Sequence, residues 1–177
     1  MERLFVALAI PDDVAVAMTL VQHGVPGARW QTREQLHLTL RFIGDVDGVS
    51  GAAIRDALAA IEAPAFTLSP HSVGEFGGKH PHALWAGVRA SEALSHLQRK
   101  VETTVQRAGI DADRQKYTPH VTLARLTRPN IGRVADWLTD HALFSAPDIA
   151  VAGFILYSSV LTSDGSIYRA ERAYRLR

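Results

Sequence analysis

Apolar positions divide the chain into strand-like and helix-like runs. Leu4 to Ile10 is an apolar run of strand length. Pro11-Asp12-Asp13 then predicts a helix start, with acidic groups at the positive end of the helix dipole. Val14, Ala17, Met18, Val21 and Val25 recur at helical spacing, and Gly24 with Pro26-Gly27 predicts the end. After Trp30, residues Leu36, Leu38, Leu40 and Phe42 alternate with more polar ones up to Gly44-Asp45, the period of a half-buried strand. Val49 to Ile61 reads as a second helix with Ile54, Leu58 and Ile61 on one side, stopped by Pro64. Strands are expected over Phe66 to Phe76 and Ala83 to Val88, joined by a hairpin loop through Gly77-Gly78-Lys79-His80-Pro81-His82.

The second half follows a similar order without the opening strand. Ser91 is an N-cap for a long helix whose buried face is Leu94, Leu97, Val101 and Val105, ending at Gly109. Pro119 biases Thr118 to an extended conformation ahead of a strand carrying Val121 and Leu123. A shorter helix spans Ile131 to His141. Strands over Ile149 to Leu161 and Ile167 to Leu176 close the chain, joined by a Ser163-Asp164-Gly165-Ser166 turn. Strand, helix, strand, helix, strands, then helix, strand, helix, strands, suggests an α+β chain of two lobes built by a degenerate duplication.

The polar positions of one strand in each half match. Leu36 to Ile43 and Tyr117 to Arg125 both contain His-x-Thr-Leu. Alternation puts His37 and Thr39 on one face of their strand, and His120 and Thr122 on one face of theirs, with the apolar residues turned to a core. Two unrelated strand histidines are the plain alternative. Two copies among eight histidines, each followed by Leu inside a strand-like run, favour a paired site with two acid/base groups and two hydroxyl donors.

These motifs, the opening Arg3-Leu4-Phe5-Val6-Ala7-Leu8-Ala9-Ile10-Pro11 and the closing Ser159-Val160-Leu161 with Gly165-Ser166-Ile167-Tyr168 resemble the two-histidine (2H) phosphoesterases. Within them the likeness is to the LigT-type RNA 2′,3′-cyclic phosphodiesterases, from near residue 3 to near residue 174. The resemblance implies one bilobal domain over residues 1–177, with two pseudo-symmetric lobes. Each would be an antiparallel sheet with flanking helices, and the active-site cleft would lie between them. It implies hydrolysis of 2′,3′-cyclic phosphate ends of RNA or nucleotides to 2′-phosphates, with His37 as general acid and His120 as general base. Two imidazoles near their ordinary pKa of about 6.5 suit that task, and no metal or other cofactor is required. Thr39 and Thr122 would bind the phosphate. Residues five places after each His would also reach the ligand, Phe42 as a stacking surface and Arg125 as a phosphate clamp. Strict alternation disagrees, placing Arg41 on the catalytic face, Phe42 in the core and Arg125 away from the cleft. A bulge or strand end would resolve the conflict.

Charge and composition narrow the partners. With 177 residues, 47% apolar and mixed charge, the chain is long enough for a real core. Nineteen basic against 18 acidic residues is too even for a protein that grips nucleic acid along its length, so an RNA substrate is expected to be held at its end. The absence of cysteine excludes disulfides, thiolate nucleophiles and cysteine-ligated metals and is compatible with the cytosol, where the chain is expected to act as a monomer. The N-terminal apolar run lacks a basic leader and a small-residue cleavage site, so it is expected to be a strand rather than a signal peptide. No run reaches the roughly 18 apolar residues of a membrane span, and no membrane partner is expected.

His71, His80 and His82 match no zinc spacing and read as loop residues, as His23, His96 and His141 read as surface residues of helices. Lys116 and Tyr117 read as a solvated loop near the second motif. Three other readings stay open at the level of sequence. They are a reversible 2′–5′ RNA ligase, a non-catalytic RNA-end or tRNA binding module, and an esterase for a cyclic phosphate on a small nucleotide.

Overall fold

The computed structural model describes all residues, Met1–Arg177. In chain order the elements are β1 (Glu2–Ala9), α1 (Asp12–Thr19), β2 (Arg29–Trp30), a 3-10 turn (Arg33–Gln35), β3 (His37–Val46), α2 (Gly48–Ala59), β4 (Phe66–Leu68) and β5 (Pro70–Phe76). There follow β6 (Ala83–Val88), α3 (Glu92–Arg107), β7 (His120–Arg125), α4 (Ile131–Asp140), β8 (Ile149–Val151), β9 (Gly153–Thr162) and β10 (Gly165–Arg175). No helix is long and apolar enough to cross a membrane.

Three expected elements are shorter or divided. The first helix ends at Thr19 rather than near Gly24, and Val21 and Val25 reach the core from turns. There the Trp137 indole donates to the Val21 carbonyl at 2.8 Å, and the Gln22 amide donates to the carbonyls of Gln31 and Leu123, contacts a continued helix would compete with. The strand expected over Phe66 to Phe76 breaks at Ser69, because Pro70 has no N–H to carry a ladder on. The strand expected over Ile149 to Leu161 breaks at Ala152. The pieces cut off, β4 and β8, pair with each other as a separate two-stranded sheet, fastened beside it by a Ser69–Asp148 hydrogen bond of 2.7 Å.

The main sheet is antiparallel throughout, in the order β10-β9-β1-β3-β7-β6-β5, with β2 added to β7. The fold is thus α+β, with two sheets and flanking helices. The main sheet's two halves, β10-β9-β1-β3 and β7-β6-β5, join through one pairing, Leu38 opposite Val121. One continuous core lies under it, from Leu4, Leu38, Leu40, Val121 and Leu123 to Val14, Ile54, Leu97, Val101 and Trp137 of the helices. α3 shows why the helices take that side, since all four expected apolar positions, Leu94 to Val105, are buried and Ser91 caps its first turn. The other face of the sheet is left open.

The two motif strands bury their residues in the same order: half-buried, buried, half-buried, buried, buried, exposed. The cause is a shared bulge. β1 pairs Ala7 with Thr39 and Val6 with Arg41, passing over Leu40, and β6 pairs Trp85 with Thr122 and Leu84 with Ala124, passing over Leu123. In each case the motif leucine is the extra residue, and alternation changes phase after it.

Candidate active site

The bulges decide which side chains share the open face. His37, Thr39 and Phe42 reach it from β3, and His120, Thr122 and Arg125 from β7. Phe42, expected in the core by alternation alone, is 50% exposed. Arg41, which the same alternation put in the cleft, is buried instead. It forms an ion pair with Glu102 of α3 and donates to the carbonyls of Asp111 and Phe42. Its donors are committed to the scaffold. Because β3 and β7 run antiparallel from their shared contact, Phe42 and Arg125 lie toward opposite ends of the motif pair.

Both imidazoles are anchored alike. His37 Nδ1 lies 2.7 Å from the Gln35 carbonyl and His120 Nδ1 2.7 Å from the Thr118 carbonyl, each two residues back. A carbonyl only accepts, so Nδ1 carries a proton in both rings and Nε2 is the nitrogen free to exchange one. Gln35 is itself held from three sides. Its side-chain oxygen accepts from the Thr32 N–H, its amide donates to the Ser166 carbonyl of β10 at 2.9 Å, and its backbone serves His37.

Aromatic rings wall each histidine. Phe5 (4.8 Å between centroids), Tyr168 (5.0 Å, edge-on) and Tyr157 (6.4 Å) surround His37. Phe76 (4.7 Å, edge-on) and Trp85 (6.2 Å) flank His120. Trp85 lies in a slot cut by glycine, since a Cβ on Gly74 would stand 2.1 Å from its ring. Its indole N–H is buried with no acceptor in the protein.

This apolar shell tunes the rings. Burial is the main cause that pushes His37 down to about 4, with the charges of His120 and Arg125 adding to it and the Gln35 carbonyl opposing. Burial, again foremost, and Arg125 lower His120. The Arg125 charge thus disfavours the protonated form of both imidazoles.

The space beside His120 is a cleft of about 530 Å³, lined by Thr39, Phe42, Phe76, Lys116 and Tyr117 among others. Tyr117, expected in a solvated loop, donates its hydroxyl to the Thr39 carbonyl at 2.9 Å and so ties the second motif's approach loop to the first motif's strand. Thr39 is thus held through its backbone. A larger groove of about 900 Å³ runs between α2 and α3 and contains none of the motif residues. The 3-10 turn, the aromatic shells and Tyr117 escaped sequence reading because their contacts join distant segments. The polar Thr32-x-x-Gln35 spacing was the one local signal, as a capping box just before the motif.

Comparison with known proteins covers nearly the whole chain. The family model for the 2′-5′ RNA ligase superfamily matches residues 10–149. An RNA 2′,3′-cyclic phosphodiesterase of Archaeoglobus fulgidus is 30% identical over 176 residues, 97% of this chain and 99% of the relative. One of Thermotoga maritima is 29% identical, covering 94% and 91%. Among solved structures, TT0787 of Thermus thermophilus superposes with a TM-score of 0.78 at 26% identity, over 99% of this chain and 98% of its own. Escherichia coli LigT, solved with 3′-AMP, superposes with a TM-score of 0.80 at 24% identity over 99% and 98%, a likeness of fold.

Proposed function

Because the chain belongs to the 2H phosphoesterases, and within them to the LigT-like RNA 2′,3′-cyclic phosphodiesterases, we propose that it opens 2′,3′-cyclic phosphate ends of RNA to 2′-phosphates by acid–base catalysis between His37 and His120, without a metal. As a member of that family it is a hydrolase of phosphoric diesters. Nε2 of His120, when neutral, takes a proton from water, whose oxygen forms the new bond to phosphorus. The bond from phosphorus to the ribose 3′-oxygen breaks, and that oxygen takes its proton from Nε2 of His37. The products are a 2′-phosphate and a free 3′-hydroxyl.

Charge on the non-bridging oxygens grows as the bond to water forms. The hydroxyls of Thr39 and Thr122 and the Arg125 guanidinium would donate to those oxygens, and Phe42 offers a face on which a base can stack. The observation that carries the reading is the twin anchoring of Nδ1, which leaves both Nε2 atoms as the exchanging groups. A site that only bound phosphate would have no need of it.

The test is hydrolysis of a nucleoside 2′,3′-cyclic phosphate in excess EDTA, with the product's phosphate position read by NMR. Conversion to the 2′-phosphate is expected. His37→Ala and His120→Ala should each lower kcat by about 10²–10⁴-fold with the melting transition retained, and Arg125→Ala should chiefly raise KM. Full activity in either histidine variant, or loss of activity with EDTA, would sink the mechanism.

A further inference from the structure

The short strand β2 brings a second guanidinium to the catalytic face. In its pairing with β7, Arg29 stands directly opposite Arg125, and Trp30 opposite Ala124. Directly opposed residues of an antiparallel pair share a face, with Cβ atoms about 5 Å apart. Ala124 is buried and Trp30 packs on the core, so Arg29 and Arg125 project together from the open face, and both are exposed. A second contact fixes the direction. An Arg29 Nη atom comes within 3.2 Å of where a Cβ on Gly165 would stand, near the tip of the β9–β10 hairpin, which Gln35 binds and whose Tyr168 flanks His37.

Like charges directly opposite each other are unfavourable unless something neutralises them. None of the ion pairs in the molecule includes either residue. In the function proposed above, Arg125 donates to the reacting phosphate. β6 takes one side of β7 at Arg125, so β2 lies on the other, the side on which β3 pairs. Arg29 therefore stands between Arg125 and the β9–β10 hairpin, where a second anionic group of the same ligand would lie.

Resting on the function proposed above, we infer that Arg29 binds the internucleotide phosphodiester that precedes the cyclic phosphate, so that the enzyme favours the end of an RNA chain over a free cyclic mononucleotide. Two phosphates held by two neighbouring arginines also fit a protein whose overall charge is nearly balanced.

The experiment compares a nucleoside 2′,3′-cyclic phosphate with a dinucleotide ending in a 2′,3′-cyclic phosphate, using wild type, Arg29→Gln and Arg29→Lys. Wild type should show the higher kcat/KM on the dinucleotide. Arg29→Gln should lose about tenfold on the dinucleotide, and less than twofold on the mononucleotide, and its salt dependence should be shallower by the share of one phosphate contact. Arg29→Lys should recover part of the loss. Equal losses on both substrates would place Arg29 at the reacting phosphate or in the scaffold and overturn the inference, as would no loss on either. Titration with a dinucleotide 3′-phosphate, which cannot turn over, gives an independent reading. Weaker binding by Arg29→Gln there supports the inference even if wild type hydrolyses neither cyclic compound, a result that would sink the parent function alone. Unchanged binding would overturn it.

Discussion

His37 and His120 each give one ring nitrogen to a backbone carbonyl and keep the other for chemistry, inside walls of aromatic carbon. Those walls set the pH response. Catalysis needs one imidazole protonated and the other neutral, yet burial holds both below the ordinary histidine range, with His37 near 4 and displaced farther than His120. As pH rises toward neutrality the empty site loses the proton it needs. The kcat/KM profile should therefore peak on the acid side of about 6.5, the ordinary value, and fall above it. A bound phosphate anion favours the imidazolium and offsets the Arg125 charge, so kcat should persist to higher pH than kcat/KM. In the empty site the lower value of His37 leaves the first proton on His120, so the roles of His37 as acid and His120 as base require the bound phosphate to reverse that order. A kcat/KM that climbs steadily through neutral pH would contradict this account.

At the level of the strand, one extra residue does the sorting. Leu40 and Leu123 stay in the core as bulges, and Phe42 and Arg125 swing to the open face beside their histidines. The β5–β6 ladder supports the second histidine through a different device, the slot over Gly74 that admits Trp85 beside Phe76 and His120. Gly74→Ala would push a methyl group into the indole. Overpacking of this kind costs about 1–3 kcal/mol, and it should lower the melting temperature by about 2–4 °C for each kcal/mol in a chain of this size. Activity should fall as well, because the wall of His120 moves. Trp fluorescence and a melt would report both effects, and an unchanged spectrum with full activity would show that the slot is slack.

Across the whole molecule, the motif strands are held in relation by groups outside the chemistry. Arg41 leaves β3 on the core side, pairs with Glu102 of α3 and donates to the Asp111 carbonyl in the segment leading to the second motif, and Tyr117 reaches back to Thr39. Removing one member of a buried pair strands the other. Arg41→Ala should cost about 3 kcal/mol and lower the melting temperature by about 6–12 °C, while turnover measured well below the melt stays within a few-fold of wild type. A melt within about 2 °C of wild type would mean that Glu102 finds water or another donor without penalty.

The periodicity of apolar residues determined the strands and helices, the α+β class and the repeated order, because burial is written locally at periods of two and 3.6. It also singled out His37, Thr39, His120 and Thr122, whose spacing fixes a shared face before any bulge intervenes. Tertiary structure decided the rest. Whether Arg41 or Phe42 faces the open side depended on how β3 registers with β1, and the position of Arg125 on how β7 registers with β6, and pairing between distant strands leaves no period in the sequence. The same holds for β2, two residues long and visible only through its partner, and for the breaks at Ser69 and Ala152 that send β4 and β8 to a sheet of their own. A strand's own residues state which faces it has, and its neighbours determine where those faces change over.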